Sequence, residues 1–291
     1  MGKDVVEAYP ETAALFQQAD AVLQNGFSDV CFNGPAERLT DTSYCQPALF
    51  THGLALLAAL QKERPGFQFH ACAGLSLGEF TAHTAAGHFH FTDGLKLVAE
   101  RGRLMQEACL QTKGGMISLI GASPGQAQEL AAAVGLEVAN YNCPGQIVLS
   151  GPLDLIPLAM AKGKELGLKR ALPLNVAGAY HSVLMQSAQA GLKPHIDAVP
   201  IQTSSVAVYA NVTGKQVKAP EEIRDTLLRQ VTGSVRWEQC VEELITDGAT
   251  LLIEIGPGKV LTGMCKRIHK EMPCLSIGNV EDLKGALHEI K

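Results

Sequence analysis

The chain has 291 residues, of which 46% are hydrophobic, 24 are basic and 29 are acidic, for a formal net charge of -5. This length and apolar content allow a sizeable core, as one large domain or as a domain that carries an insertion. The charge balance excludes a basic nucleic-acid footprint, and we expect no leader peptide and no membrane span because neither apolar pattern is present.

The eight cysteines are scattered without a C-x-x-C pair and lie mostly in apolar segments. Such cysteines are typical of reduced, buried side chains in a cytoplasmic protein.

The first part of the chain is predicted to be helical. An amphipathic helix is expected over Tyr9 to Asn25, with Pro10 in its first turn and Gly26 after its end, and no strand pattern precedes it. A second helix, apolar nearly all round, is expected to begin at Pro47 and to stop before Pro65. A helix of that kind is packed on several sides.

The segment GLSLG, from Gly74 to Gly78, follows a short apolar run and precedes a helix-forming stretch. A G-x-S-x-G pattern on a strand-to-helix turn is typical of a nucleophile elbow. The glycines allow a strained turn that exposes the Ser76 hydroxyl, and the helix that opens at Leu77 offers free N–H groups to an oxyanion. The pattern predicts Ser76 as a nucleophile; the alternative is a tight turn with an incidental serine.

The next helix, FTDGLKLVAERGRLMQEACL, is predicted to be capped by Thr92. Its apolar stripe at i, i+3 and i+4 spacing includes Arg101. A guanidinium in such a position needs an anion, which makes Arg101 a candidate binding residue. The alternative is an arginine that reaches solvent or pairs with Glu100 or Glu107.

A different pattern, in the order βαββαβ, occupies residues 115–174 and is typical of a ferredoxin-like unit inserted into a larger domain. The predicted strands are Met116 to Ile120, Leu136 to Tyr141, Gln146 to Ser150 and Lys169 to Leu174, and the predicted helices are Pro124 to Val134 and Leu153 to Leu166.

The remainder alternates helices and strands, which indicates a mainly parallel sheet covered on both faces. Four helices are predicted before the closing one: a helix that ends near Ala198, Pro220 to Gln230, Arg236 to Thr246, and a helix that ends at Lys270. The predicted strands are Val206 to Ala210, Thr250 to Ile255 and Pro273 to Ile277.

A serine nucleophile needs a base, and the chain has nine histidines. His181 lies in a Gly/Ala-rich loop where the small unit rejoins the large one, and pockets favour such seams. His88 and His90 alternate with phenylalanines and lack a third metal ligand, while His269 lies among basic residues at a helix end. His181 is therefore the candidate base.

Seven runs together resemble malonyl-CoA:acyl carrier protein transacylases over almost the whole chain. They are QPALF (46–50), GLSLGEF (74–80), ERGRLMQEA (100–108), NYNCPGQIVLSG (140–151), GAYHSVLM (178–185), LLRQ (227–230) and EIGPGKVLTG (254–263). The resemblance implies an α/β fold, with an α/β-hydrolase-like catalytic domain of parallel sheet (residues 1–113 and 178–291) and an inserted ferredoxin-like small domain (residues 114–177).

The same resemblance assigns roles to seven residues. Ser76 is the nucleophile, His181 its base, Arg101 the partner of the malonyl carboxylate, Gln230 the residue whose carbonyl orients the histidine, and Leu77 an oxyanion donor through its N–H, while Gln46 and Asn142 line the pocket.

The implied activity is transfer of a malonyl group from malonyl-CoA to the phosphopantetheine thiol of acyl carrier protein in fatty acid biosynthesis. We expect a cytoplasmic monomer that uses no cofactor and no metal. The alternatives are a polyketide-type trans-acting acyltransferase, a serine thioesterase or hydrolase, and an inactive relative that only binds carrier protein. The usual hydrolase order places the base near the C-terminus, whereas His181 has about 110 residues after it.

Three departures from the family pattern stand out. Leu75 replaces a histidine before the nucleophile, and Tyr180 replaces a phenylalanine before the base. The family also begins with a strand and a loop of the type GQGxQ that supplies a second oxyanion donor, and this sequence starts about where that loop should end. From this we expect a start-site truncation, with an open sheet edge beside the elbow, low stability and little activity.

Overall fold

The fold is that of a computed structural model, which describes residues 1–24 and 26–290. The helices are α1 (Lys3–Ala8), α2 (Ala13–Leu23), α3 (Phe27–Asn33), α4 (Ala36–Thr40), α5 (Thr42–Glu63), α6 (Leu77–Ala85), α7 (Phe91–Gln111), α8 (Pro124–Val134), α9 (Ile156–Glu165), α10 (Gln186–Ala198), α11 (Pro220–Gln230), α12 (Trp237–Thr246), α13 (Val260–Ile268) and α14 (Val280–Ala286). The strands are β1 (Ala71–Ala73), β2 (Gly114–Ile120), β3 (Glu137–Cys143), β4 (Gln146–Pro152), β5 (Arg170–Pro173), β6 (Ala207–Tyr209), β7 (Gln216–Val217), β8 (Val235–Arg236), β9 (Leu252–Ile255) and β10 (Cys274–Ile277).

The strands form mixed sheets in an α/β arrangement. β1 pairs in parallel with β6, and β7 adds an antiparallel edge, so the sheet order is β1-β6-β7. A second parallel pair joins β9 and β10. Parallel pairing brings the carboxyl ends of β1 and β6 side by side, since Ala73 lies opposite Tyr209. The polar residues that follow these two strands therefore meet at one edge of the sheet.

Helices α5 and α7 form the centre of the large core. Most of α5 is buried, including Phe50, Leu56 and Leu60, and the two helices pack along each other. α7 is amphipathic, with Leu97, Val98 and the other residues of its buried stripe facing the core. In the part of the chain that the structure describes, no helix combines the length and apolar character needed to cross a membrane.

The segment from β2 to β5 has the element order βαββαβ. Its four strands lie in the order β5-β2-β4-β3, with neighbouring strands antiparallel. Side chains of β2, β4 and helices α8 and α9 close a core of their own, which includes Ile117, Leu130 and Leu149. Strand β8 of the following chain extends this sheet by pairing in parallel with β3. The small unit and the large one thus share a hydrogen-bonded edge.

Several predicted element boundaries are corrected by the structure. The first helix is a 3-10 turn at Pro10–Thr12 followed by α2, and α1 precedes it; its predicted end, Asn25, lies outside the described residues. α5 begins at Thr42, before Pro47, because a proline this near the helix start removes only one backbone bond. The cap of α7 is His90, whose carbonyl accepts from the N–H of Gly94, so Thr92 is already inside the helix. β7 and β8, each of two residues, were too short to predict.

A large cavity lies between β1 and β9. Its volume is about 1700 Å³, and both strands line it along their full length. Within the described residues, β1 pairs only with β6 and β9 only with β10, so one edge of each strand faces this cavity. Apolar side chains of the surrounding helices, such as Leu54 and Leu244, complete its walls.

Candidate active site

The turn between β1 and α6 places Ser76 at the start of a helix. Ser76 has φ 54° and ψ -108°, a conformation that non-glycine residues rarely adopt. Gly74 has to be a glycine, because a Cβ there would lie 2.0 Å from the carbonyl carbon of Gly78. Strained residues of this kind occur most often at functional sites, where the surrounding structure holds them in place. The geometry agrees with the elbow expected at Ser76.

His181 lies beside the serine hydroxyl. The Oγ of Ser76 is 2.8 Å from Nε2 of His181, and Nδ1 of the same ring is 2.8 Å from the carbonyl oxygen of Gln230. A carbonyl oxygen only accepts hydrogen bonds, so Nδ1 carries the proton and Nε2 is left as an acceptor for the serine hydroxyl. The contact orients the ring for proton transfer from Ser76.

Burial keeps this histidine neutral. Burial first and the Arg101 charge second lower the pKa of His181 to about 4, against the opposing effect of the hydrogen bond to Gln230. The ring is 3% exposed. A group with a lowered pKa is unprotonated at neutral pH, and His181 can therefore accept a proton there.

Arg101 is buried in the same cluster. Its guanidinium donates from Nη1 to Oε1 of Gln46 at 2.6 Å and from Nη2 to Oγ of Ser76 at 2.9 Å and to Oε1 of Gln230 at 3.0 Å. Burial lowers its pKa to about 10, which leaves it charged at neutral pH. No carboxylate of the described residues lies within 4.0 Å of it.

The ion pair with Glu100 or Glu107 that was the alternative for Arg101 is made instead by Arg103. Arg103 is exposed and pairs with Glu100 at 2.8 Å and with Glu107 at 2.6 Å. Arg101 is 1% exposed and makes neither contact. The helix thus carries one arginine bound to surface acids and one held beside Ser76 with no carboxylate partner among the described residues.

The other predicted residues divide into two groups. Gln46 on α5 contacts Arg101, and Leu77 follows Ser76 as the first residue of α6, so both belong to the cluster. Asn142 on β3 is buried and lines the large cavity, and its Oδ1 has no hydrogen-bond partner in the structure. Among the described residues, Asn142 makes no side-chain hydrogen bond to Ser76, Arg101 or His181.

Two residues of this network were missed in the sequence. Asn211 follows β6 and contacts the elbow through its side-chain amide, and Glu79 lies in the first turn of α6. Nε2 of Gln230 donates to Oε2 of Glu79 at 2.6 Å and to the carbonyl oxygen of Ser76 at 2.8 Å. A polar residue just after a strand that neighbours the elbow strand is the signal that could have revealed Asn211.

Glu79 is fully buried, and burial raises its pKa to about 7, against the opposing effects of its hydrogen bonds from Gln230 and Asn211 and of the Arg101 charge. Its Oε1 has no hydrogen-bond partner in the structure.

The remaining histidines lie apart from the serine. His83 and His88 are buried, with their Nδ1 atoms 2.9 Å apart, and burial lowers the pKa of both. In residues 1–24 and 26–290, no group of three or more His, Cys, Asp and Glu side chains is arranged to hold a metal ion.

Comparison with known proteins gives a consistent result. The family described as acyl transferase domain matches residues 1–288. The malonyl CoA-acyl carrier protein transacylase of Bacillus subtilis is 37% identical over 296 residues, which cover 100% of this chain and 93% of that protein. The enzyme of the same name from Haemophilus influenzae is 36% identical and covers 95% of this chain and 90% of its own length.

Solved structures of similar proteins have nearly the same backbone. The acyl-carrier-protein-S-malonyltransferase of Bartonella henselae matches with a TM-score of 0.94 at 36% identity, covering 100% of this chain and 94% of its own. A type II PKS acyl-carrier protein in complex with its malonyl-transacylase matches with a TM-score of 0.94 at 33% identity, covering 99% of this chain and 94% of the other.

Proposed function

The chain belongs to the acyl transferase domain family, and from that premise we propose that it transfers a malonyl group from malonyl-CoA to the phosphopantetheine thiol of an acyl carrier protein. The observation that carries this proposal is the placement of a buried, anion-free Arg101 at 2.9 Å from the oxygen of Ser76, which itself contacts His181. A nucleophile beside a cation suits an acyl group with a carboxylate at its far end.

The first half-reaction forms an ester on Ser76. Nε2 of His181 takes the hydroxyl proton as Oγ attacks the thioester carbon of malonyl-CoA. The Leu77 N–H at the start of α6 stabilises the oxyanion, and its collapse expels the CoA thiolate, which takes the proton from His181. Arg101 binds the malonyl carboxylate through its two Nη groups.

The second half-reaction reverses the first. The phosphopantetheine thiol of the carrier protein gives its proton to His181 and attacks the Ser76 ester, and Ser76 leaves with that proton restored. The carbonyl of Gln230 holds the ring in the required tautomer during both steps. A thioester is already activated, so a serine and a histidine held by a backbone carbonyl suffice for the exchange.

We also propose a division of the chain into two domains. We assign residues 1–113 and 178–291 to an α/β-hydrolase-like catalytic domain and residues 114–177 to a ferredoxin-like small domain, supported by the strand order β5-β2-β4-β3. Gln46 supports Arg101, and Asn142 contributes to the pocket wall. We further propose that the protein acts as a cytoplasmic monomer without a cofactor; its eight cysteines are free.

The test is the mass of the intact protein after brief mixing with malonyl-CoA, followed by addition of phosphopantetheinylated carrier protein. We expect a malonyl adduct that the carrier protein removes, no adduct in Ser76→Ala, and a normal adduct in the control Ser150→Ala, which removes another buried serine hydroxyl far along the chain. Hydrolysis of malonyl-CoA without transfer would indicate a thioesterase instead. A wild-type protein that binds carrier protein but gains no mass would be an inactive relative.

A further inference from the structure

The side-chain amide of Asn211 spans the elbow. Its Oδ1 accepts from the backbone N–H of Ser76 at 2.7 Å, and its Nδ2 donates to the carbonyl oxygen of Gly74 at 2.8 Å. One amide thus bonds the residue before and the residue after Leu75, which fixes the path of the three-residue turn. Asn211 is fully buried, so water cannot replace either bond.

Asn211 is itself held from two sides. Its backbone N–H donates to Oε2 of Glu79 at 3.0 Å, and its carbonyl oxygen accepts from the N–H of Arg236 at 2.8 Å. Glu79 belongs to α6, the helix that begins directly after Ser76, and the same Oε2 accepts from Gln230. The amide therefore has little freedom to move away from the turn.

The turn needs such support because Ser76 is in a strained conformation, at φ 54° and ψ -108°. A residue of this kind keeps its conformation only where neighbouring groups determine it. If the turn relaxed, the Oγ of Ser76 would leave its position 2.8 Å from Nε2 of His181. Two backbone groups, the half-buried N–H of Ser76 and the buried carbonyl of Gly74, would also lose their partner.

We propose that Asn211 is a positioning residue for the nucleophile, which holds the strained elbow so that the Ser76 hydroxyl stays within reach of His181. Among the described residues Asn211 makes no hydrogen bond to Arg101, but its Oδ1 lies 3.5 Å from Nε2 of Gln230, whose Oε1 accepts from Arg101. We therefore expect its main effect on attack by the serine and a smaller one on recognition of the substrate carboxylate. This role rests on the proposed function of Ser76 as the nucleophile.

The experiment measures the rate at which an alkyl fluorophosphonate labels Ser76, in addition to malonyl transfer. The probe reports activation of the serine whether or not malonyl-CoA is the substrate, so failure of the proposed transfer and failure of the Asn211 role are distinguishable. Asn211→Leu keeps a similar side-chain volume but removes the bonds to Ser76 and Gly74 and the 3.5 Å contact with Gln230. In this variant we expect labelling and kcat to fall about 10²-fold with little change in the KM for malonyl-CoA.

The control is Thr12→Ala, which also removes a buried side-chain hydrogen bond, from Oγ1 of Thr12 to the carbonyl of Tyr9 at 2.8 Å. It should lower the melting temperature but leave the labelling rate of each folded molecule unchanged. A wild-type labelling rate in folded Asn211→Leu would overturn the proposal.

Asn211→Asp provides a second test that does not depend on Asn211→Leu folding. A protonated aspartic acid has the shape of asparagine and can both accept from Ser76 and donate to Gly74, whereas the carboxylate can only accept. The titratable groups that face this network are Glu79, Arg101, His181 and Cys240, and the variant keeps all of them.

We therefore expect labelling of Asn211→Asp, relative to the native protein at each pH, to rise as the pH falls from about 8 to about 5. Recovery toward the native rate supports the bridging role of the amide. A labelling rate that stays about 10²-fold low over the whole range would contradict it.

Discussion

Replacement of Arg101 by alanine tests the origin of substrate selectivity most directly. Truncation of one partner of a buried, charged hydrogen-bond pair costs roughly 2–5 kcal/mol. At 1.36 kcal/mol for each tenfold change, this corresponds to a loss of about 30- to 5,000-fold in kcat/KM for malonyl-CoA. The full range applies here because Arg101 is 1% exposed and solvent does not screen its charge.

Part of that loss has another origin. Arg101 also donates to Ser76, Gln46 and Gln230, and Arg101→Ala leaves those acceptors without a donor. This second effect acts on every acyl group alike. The quantity to compare is therefore the ratio of kcat/KM for malonyl-CoA to that for acetyl-CoA, which isolates the contact with the carboxylate.

The assay is acyl transfer to carrier protein with each thioester in turn, for the native protein, Arg101→Ala and Arg103→Ala. We expect the malonyl-to-acetyl ratio to fall by about 10²-fold in Arg101→Ala. Arg103→Ala is the matched control, since it removes an arginine two residues along the same helix whose ion pairs, among the described residues, are with Glu100 and Glu107. Equal losses for both thioesters would show that Arg101 has a structural role and would refute the reasoning.

Two further predictions concern the elbow and the base. Gly74→Ala should abolish acylation or folding, because its Cβ would lie 2.0 Å from the backbone of Gly78. Gly78→Ala should be tolerated, because a Cβ there has no described atom outside its own helix turn within 4 Å. Melting curves and adduct mass distinguish the two variants. The kcat/KM for acylation, which reports the free protein, should stay level as the pH falls from 8 and decline only near the lowered His181 pKa of about 4, since the neutral ring is the base. A decline centred on the ordinary histidine value of about 6.5 would contradict this.

Much of the fold could be predicted because its elements are locally determined. α8 has the predicted limits, Pro124 to Val134, because Ser123 and Gln126 form a capping box and Gly135 ends the helix with φ 76°. β8 could not be predicted, because two residues show no periodicity. Its formation depends on pairing with β3, where Asn140 lies opposite Val235, about 95 residues further along the chain. The sequence predicts too late a start for α5, because proline is common in the first turn of a helix, whereas α5 begins at Thr42 and Pro47 lies inside it.

Residues of the candidate site could be predicted only where the sequence pattern itself indicates a chemical role. Ser76 lies in an elbow pattern, and Arg101 interrupts an apolar stripe. Both residues could therefore be predicted as candidates from the sequence, without knowledge of the fold. Asn211 lies in a segment with no special pattern, and Glu79 lies beside the elbow in GLSLGEF without a chemical role that the pattern itself predicts. Their contacts depend on β1 and β6 being parallel neighbours. Periodicity predicts that a residue is buried, but it does not give the partner of a buried polar atom.

The buried charges of the site fit a substrate that brings its own negative charge. Arg101 has no carboxylate within 4.0 Å among the described residues, and burial raises the pKa of Glu79, the acid in its hydrogen-bond network, to about 7. The guanidinium charge is also one of the causes that lower the pKa of His181. A bound carboxylate offsets that charge, which makes the ring a stronger base at the moment when Ser76 must lose its proton. An acetyl group supplies no such compensation, so we expect Arg101 to favour a malonyl group both through binding and through the basicity of the histidine.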